Sequence, residues 1–113
     1  SIIAKLAYGN TSFLLEGDAP QNIEKYLVSL DGKNLDVDVL KLGHHGSKTS
    51  SGDALLSVAS PEYAIISAGL HNKYGHPHKE VLDRLAKYNI PALGTYEDGT
   101  IIFESDGERL WRK

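Results

Sequence analysis

The run Val37-Asp38-Val39-Leu40-Lys41-Leu42 passes directly into Gly43-His44-His45-Gly46, and this junction constrains the fold more than any other feature of the chain. A strand so dense in apolar residues needs cover on both faces, which places it inside a sheet packed between other layers. Two imidazoles flanked by glycines then stand at that strand's end. Strand and helix patterns alternate on either side of it, as in an α/β layer fold.

Ile2 to Tyr8 reads as a strand, Gly9-Asn10 as a tight turn and Thr11 to Leu15 as the antiparallel partner. Pro20 suits the first turn of a helix reaching about Leu30, with Ile23, Leu27 and Leu30 on one face, and Gly32 ends it. A short helix over Asp53 to Ala59 stops before Pro61, and Tyr63 to Ala68 is the next strand. A helix beginning at Pro77 turns Val81, Leu82, Leu85 and Tyr88 inward. Ala92 to Tyr96 and Thr100 to Glu104 read as a hairpin about Asp98-Gly99, followed by a strand from Arg109 to Arg112. The 113 residues make one domain. Its start inside a strand pattern, Ser1-Ile2-Ile3, reads as that of a fragment of something longer.

Composition removes several classes of function. Without cysteine there is no disulfide framework and no thiolate metal site. A formal charge of −3 argues against broad binding to a nucleic-acid backbone but leaves room for a local phosphate site. No apolar stretch approaches the ~20 residues that span a bilayer.

In open α/β sheets, ligands bind beyond the carboxyl ends of the strands. Asp18, His44-His45 and His76 each follow a strand, so all are expected at one rim. Asp18 fits a helix N-cap by local pattern, and the nearby histidines favour a metal-binding carboxylate. Neighbours in extended backbone point to opposite sides, so one of His44 and His45 is expected to face the rim for ligation or proton transfer, with the other behind it. His76 precedes Pro77 and stays outside the following helix, while His78 falls in its first turn and reads as an exposed residue. His71 reads as a solvated loop residue. Tyr74 suits either stacking on a base or covering the helix below. The segment Ser47 to Ser51, with Ser47 and Lys48 as candidate phosphate contacts, suits an anion at a helix N-terminus or plain capping. Neither a Gly-x-Ser-x-Gly elbow nor a glycine-rich phosphate loop with lysine occurs, so metal-assisted hydrolysis fits best.

The segments Leu14-Leu15-Glu16-Gly17-Asp18-Ala19, Val39 to Ser50, Tyr63 to Ser67 and Tyr74-Gly75-His76-Pro77-His78 together resemble the carboxy-terminal metallo-β-lactamase-like domain of ComEC-type competence proteins. The resemblance implies the second half of an αββα sandwich, with a mixed sheet and helices packed on it. It implies a metal-dependent nuclease domain acting in DNA uptake during natural transformation, beside the membrane channel of a bacterial integral membrane protein. By the same resemblance Asp18 is the metal-bridging aspartate, His76 a metal ligand, and His44 or His45 a substrate-positioning or proton-transfer residue. The metal would be zinc or manganese. The superfamily signature His-x-His-x-Asp-His is missing from the chain, so most ligands and the amino-terminal half of the domain would lie elsewhere. A half-domain of this kind is expected to be weakly active or inactive alone, to expose an apolar sheet face and to self-associate. Glu16, where relatives carry a small polar residue, has no evident consequence. Two other readings fit the same residues: a non-catalytic half-domain that docks nucleic acid or a partner, and a free-standing hydrolase of the same superfamily unrelated to competence.

Overall fold

The computed structural model describes residues 2–69 and 72–113, so Leu70 and the expectation for His71 lie outside the described residues. Strands β1 (Ile3–Tyr8) and β2 (Thr11–Glu16) form an antiparallel hairpin about Gly9-Asn10, as the turn signal predicts. From β2 the chain crosses through helix α1 (Gln21–Asp31) to strand β3 (Val39–Lys41). It then passes through helix α2 (Asp53–Ala59) to strand β4 (Tyr63–Ile66), and through helix α3 (Lys79–Lys87) to strand β5 (Ala92–Gly94). Strands β2 to β5 are parallel and lie in sequence order, so the sheet runs β1-β2-β3-β4-β5 and is mixed, as expected.

The core fills one face of this sheet. Leu14, Leu40, Leu42, Ala64 and Ile66 meet Leu55 and Leu56 of α2 and Val81 and Leu85 of α3. Every crossover advances the same way across the sheet, so crossovers of one hand set the helices on that face.

Three expectations need correction. The buried residue of α1 is Glu24, while Ile23 and Leu30 are exposed. Pro20, expected in the first turn of α1, is instead its N-cap and makes no side-chain bond, which leaves Asp18 outside the helix as the histidine-favoured reading requires. The hairpin expected about Asp98-Gly99 does not form: β5 pairs in parallel with β4, and Thr95–Asp98 is a helical turn. The reason is local. The Thr95 hydroxyl donates to the Ala68 carbonyl and accepts from the Ala68 amide, which ends the strand at Gly94. The last pairing is instead β6 (Phe103–Ser105) with β7 (Leu110–Arg112) about Asp106-Gly107.

This β6–β7 ribbon covers only part of the sheet's second face. Phe103 packs on Tyr63 with ring centres 5.3 Å apart, and the Thr11 and Ser105 hydroxyls meet at 2.5 Å. Both contacts lie at the starts of β2 and β4. Beside them Leu6 (60% exposed), Tyr8 (60%) and Leu15 (43%) are left open, and with Phe13 and Phe103 they line one apolar groove. The expected apolar sheet face is therefore present.

Candidate functional site

The carboxyl ends of β2, β3 and β4 lead into three loops that meet at one rim. The first meeting is between backbones: the His44 amide donates to the Gly17 carbonyl at 2.8 Å, which fixes the Asp18 turn beside the histidine loop. Asp18 itself is exposed.

Gly43–Gly46 is not extended, contrary to expectation. His44 and His45 both adopt left-handed backbone, with φ of 49° and 55°, in a tight turn closed by the Ser47 amide donating to the His44 carbonyl at 2.9 Å. A single non-glycine residue there is uncommon, and two in succession persist only when the surroundings hold them. The consequence is that both imidazoles emerge exposed on the rim, 6.4 Å apart, rather than on opposite sides. His76 completes the group, 5.5 Å from His44 and 6.2 Å from His45 between ring centres.

Hydrogen bonds divide the histidines by role. His45 places Nδ1 2.7 Å from the Ser67 carbonyl, so Nδ1 carries the proton and Nε2 is left free as a base or ligand. A ring held by a backbone carbonyl in this way is the usual support of a working imidazole. His78 has no such freedom. Its Nδ1 accepts the Lys48 amide at 3.0 Å, so the ring proton sits on Nε2, 3.2 Å from the Tyr74 carbonyl. It caps α3 from outside rather than joining its first turn, and it ties two loops together. Burial first, then the neighbouring His78, His44 and His45, push the His76 imidazole below its ordinary range, which keeps it neutral and able to bind a cation.

The loop from Ser47 to Gly52 is built inward. Ser47 is buried with its hydroxyl on Thr49, and the Lys48 ammonium lies on the rim, 3.7 Å from Glu80. No side chain of this segment caps α2; the Ser51 and Gly52 amides at its start donate to Glu24, at 2.6 and 2.9 Å. A carboxylate thus holds the amides that an anion at this helix start would need. Arg84 adds bonds from its guanidinium to the carbonyls of Lys48, Ser50 and Ser51, each at 3.0 Å.

Glu16 has a consequence that its sequence position hid. It is buried against Glu24, and its Oε2 accepts the Gly43 amide at 2.7 Å and the Ser51 hydroxyl at 2.9 Å. Its other oxygen, Oε1, is buried without a donor. Burial, followed by the hydrogen bond to Glu24 and its negative charge, pushes the Glu16 carboxyl up to about 9. A protonated Glu16 explains the orphan oxygen, because a carboxylic acid donates where a carboxylate needs to accept. Glu16 therefore carries a proton directly beneath the histidine turn, beside Glu24. Asn72 is the other residue that sequence reasoning missed. Its Oδ1 accepts the Tyr74 and His76 amides at 3.2 and 2.9 Å, and its Nδ2 donates to the carbonyls of Gly69 and His76 at 2.8 and 2.6 Å.

No protein-family model matches the chain. It is 41% identical over 101 residues to ComE operon protein 3 of Bacillus subtilis, covering 89% of this chain and 13% of that protein. It is 40% identical over 103 residues to competence protein ComA of Neisseria gonorrhoeae, covering 91% and 15% respectively. It is 42% identical over 102 residues to recombination protein 2 of Haemophilus influenzae, covering 90% and 13%. The chain thus spans 13 to 15% of the length of these relatives. Among the described residues no helix is long and apolar enough to cross a membrane. Over about nine-tenths of its length, the chain is a homologue of a segment of these bacterial proteins.

Proposed function

We propose that the chain is the carboxy-terminal half of a metallo-β-lactamase-like domain that hydrolyses DNA phosphodiester bonds during uptake by a membrane-bound competence protein. One observation carries the reading: His45, with Nε2 free and Nδ1 held by Ser67, faces a neutral His76 across a rim that the Asp18 turn also reaches. The name of one relative, competence protein ComA, supports the biological setting. Leu6, Tyr8 and Leu15 form the surface that a second αβ half would cover, with pairing between copies as the alternative when that half is absent.

Imidazole and carboxylate donors suit zinc or manganese, and Asp18 and His76 would hold the ion. Among the described residues no three such side chains close around one point, and on this reading the remaining ligands come from the other half of the domain. A bound ion would polarise the phosphodiester and lower the pKa of a water molecule. Beside it, His45 Nε2 takes up or returns a proton, while its Nδ1–H stays on Ser67 and fixes the tautomer. His44 lines the same rim, and Lys48 supplies positive charge near the substrate. His78, with both nitrogens engaged, only holds the loops.

The test is manganese- or zinc-dependent DNA cleavage by the intact parent protein. Asp18→Asn and His76→Gln are each expected to lower the rate at least about tenfold, and His45→Gln about a hundredfold. Cleavage unchanged in all three variants would remove this site from the reaction and favour a docking role.

A further inference from the structure

Tyr74 combines a fixed backbone with a free ring. Its amide donates to Asn72 Oδ1 at 3.2 Å and its carbonyl accepts from His78 Nε2 at 3.2 Å, so the peptide units on both sides of Tyr74 are pinned. The ring is nevertheless 65% exposed. A tyrosine kept for packing would bury its ring; this one is held out. It lies 5.7 Å from His76, only 25° from parallel, which aims its plane along the histidine group. Beside it Gly75 has φ +68°, and a Cβ built there meets nothing within 4 Å beyond its chain neighbours. The Lys73 ammonium sits 5.0 Å from the ring centre. The rim thus presents an exposed aromatic plane with a cation over it.

We propose that Tyr74 is a stacking platform for an unpaired nucleobase, with Lys73 as the adjacent phosphate contact, so that the rim accepts a single strand in preference to a duplex. The inference rests on the DNA-hydrolysis reading above. Stacking on an aromatic side chain is tolerant of base identity and needs an uncovered base face, which a paired and stacked duplex does not offer. A chain of net charge −3 has little to hold a duplex by its backbone alone. Pinning the backbone in advance removes part of the ordering cost of binding.

The experiment measures binding of the chain, at one fixed salt concentration, to an oligothymidylate strand, the same strand made abasic, and a blunt duplex of equal length. The thymidylate strand is expected to bind more tightly than either of the others. Tyr74→Ala is expected to weaken it by about 5- to 150-fold while leaving the abasic strand unchanged, and Tyr74→Trp to retain it. An unchanged melting temperature in Tyr74→Ala is expected from the ring's exposure and shows that the loss is not unfolding. Equal binding of the abasic and thymidylate strands, or full binding by Tyr74→Ala, overturns the platform. The two readings fail separately. Cleavage dependent on His45 but a Tyr74→Ala variant that binds normally overturns only the platform. Base-dependent binding lost in Tyr74→Ala supports it even where cleavage ignores His45.

Discussion

Glu16→Gln is expected to stabilise the chain at pH 8 and to flatten its stability between about pH 5 and 9. The buried Glu16 carboxyl titrates at about 9 in the folded chain, against 4.5 for an ordinary glutamate. In the unfolded chain it ionises above 4.5, so over this window folding takes up a proton. The sign follows: the stability is fully present below the unfolded value and is lost as pH rises toward the folded one, by at most about 1.4 kcal/mol per pH unit. Above about 9 the group ionises in both states and the slope ends. Glutamine places an N–H where the acid carries its O–H, and its oxygen still accepts from Gly43 and Ser51. Chemical denaturation of both proteins from pH 5 to 9 checks this. Parallel stability curves would show that Glu16 is ionised in the fold.

Gly46→Ala is expected to cost about 2–4 kcal/mol and to separate the two histidine loops. Gly46 has φ +82°, where a side chain costs about 1 kcal/mol. Its added Cβ would stand 2.7 Å from Pro77 Cβ and 3.1 Å from Pro77 Cα, which adds about 1–3 kcal/mol of overpacking. Its carbonyl also accepts the His78 amide at 3.0 Å, so Gly46 is where the loops touch. Gly75→Ala is the control: φ is +68°, yet nothing lies within 4 Å, so only the backbone cost of about 1 kcal/mol applies. Thermal melts of both variants read the difference, and equal shifts would remove the contact from the account.

The β1–β2 hairpin, α2 and the parallel β3 and β4 follow from turn residues and apolar runs, and the structure agrees with the sequence there to within a residue or two. The rim was legible for the same reason, since each candidate follows a strand. Inside the rim the sequence fell short. Adjacent histidines suggest opposite directions only if the backbone is extended, and the bond from His44 to Gly17 imposes a left-handed turn instead. The buried acid pair left a partial trace: strand alternation puts Glu16 on the face of Leu14, and helix spacing puts Glu24 near the face of Leu27 and Val28. What no local pattern reveals is that the two carboxyls meet, because 8 residues and a change of element separate them. The roles of His45 and His78 depend on the carbonyl of Ser67 and the amide of Lys48, which are likewise long-range partners.

The imidazoles divide their labour: His76 is open to a cation, His45 keeps Nε2 free beside it for proton transfer, and His78 holds the loops. A histidine-resolved nitrogen NMR titration of the chain with zinc separates these roles. Shifts are expected at His76 and at the neighbouring His45 Nε2, while His78 keeps its Nε2–H tautomer and its shift. A His78 that moves as far as His76, or a titration that leaves His45 and His76 unmoved at millimolar zinc, would contradict this division.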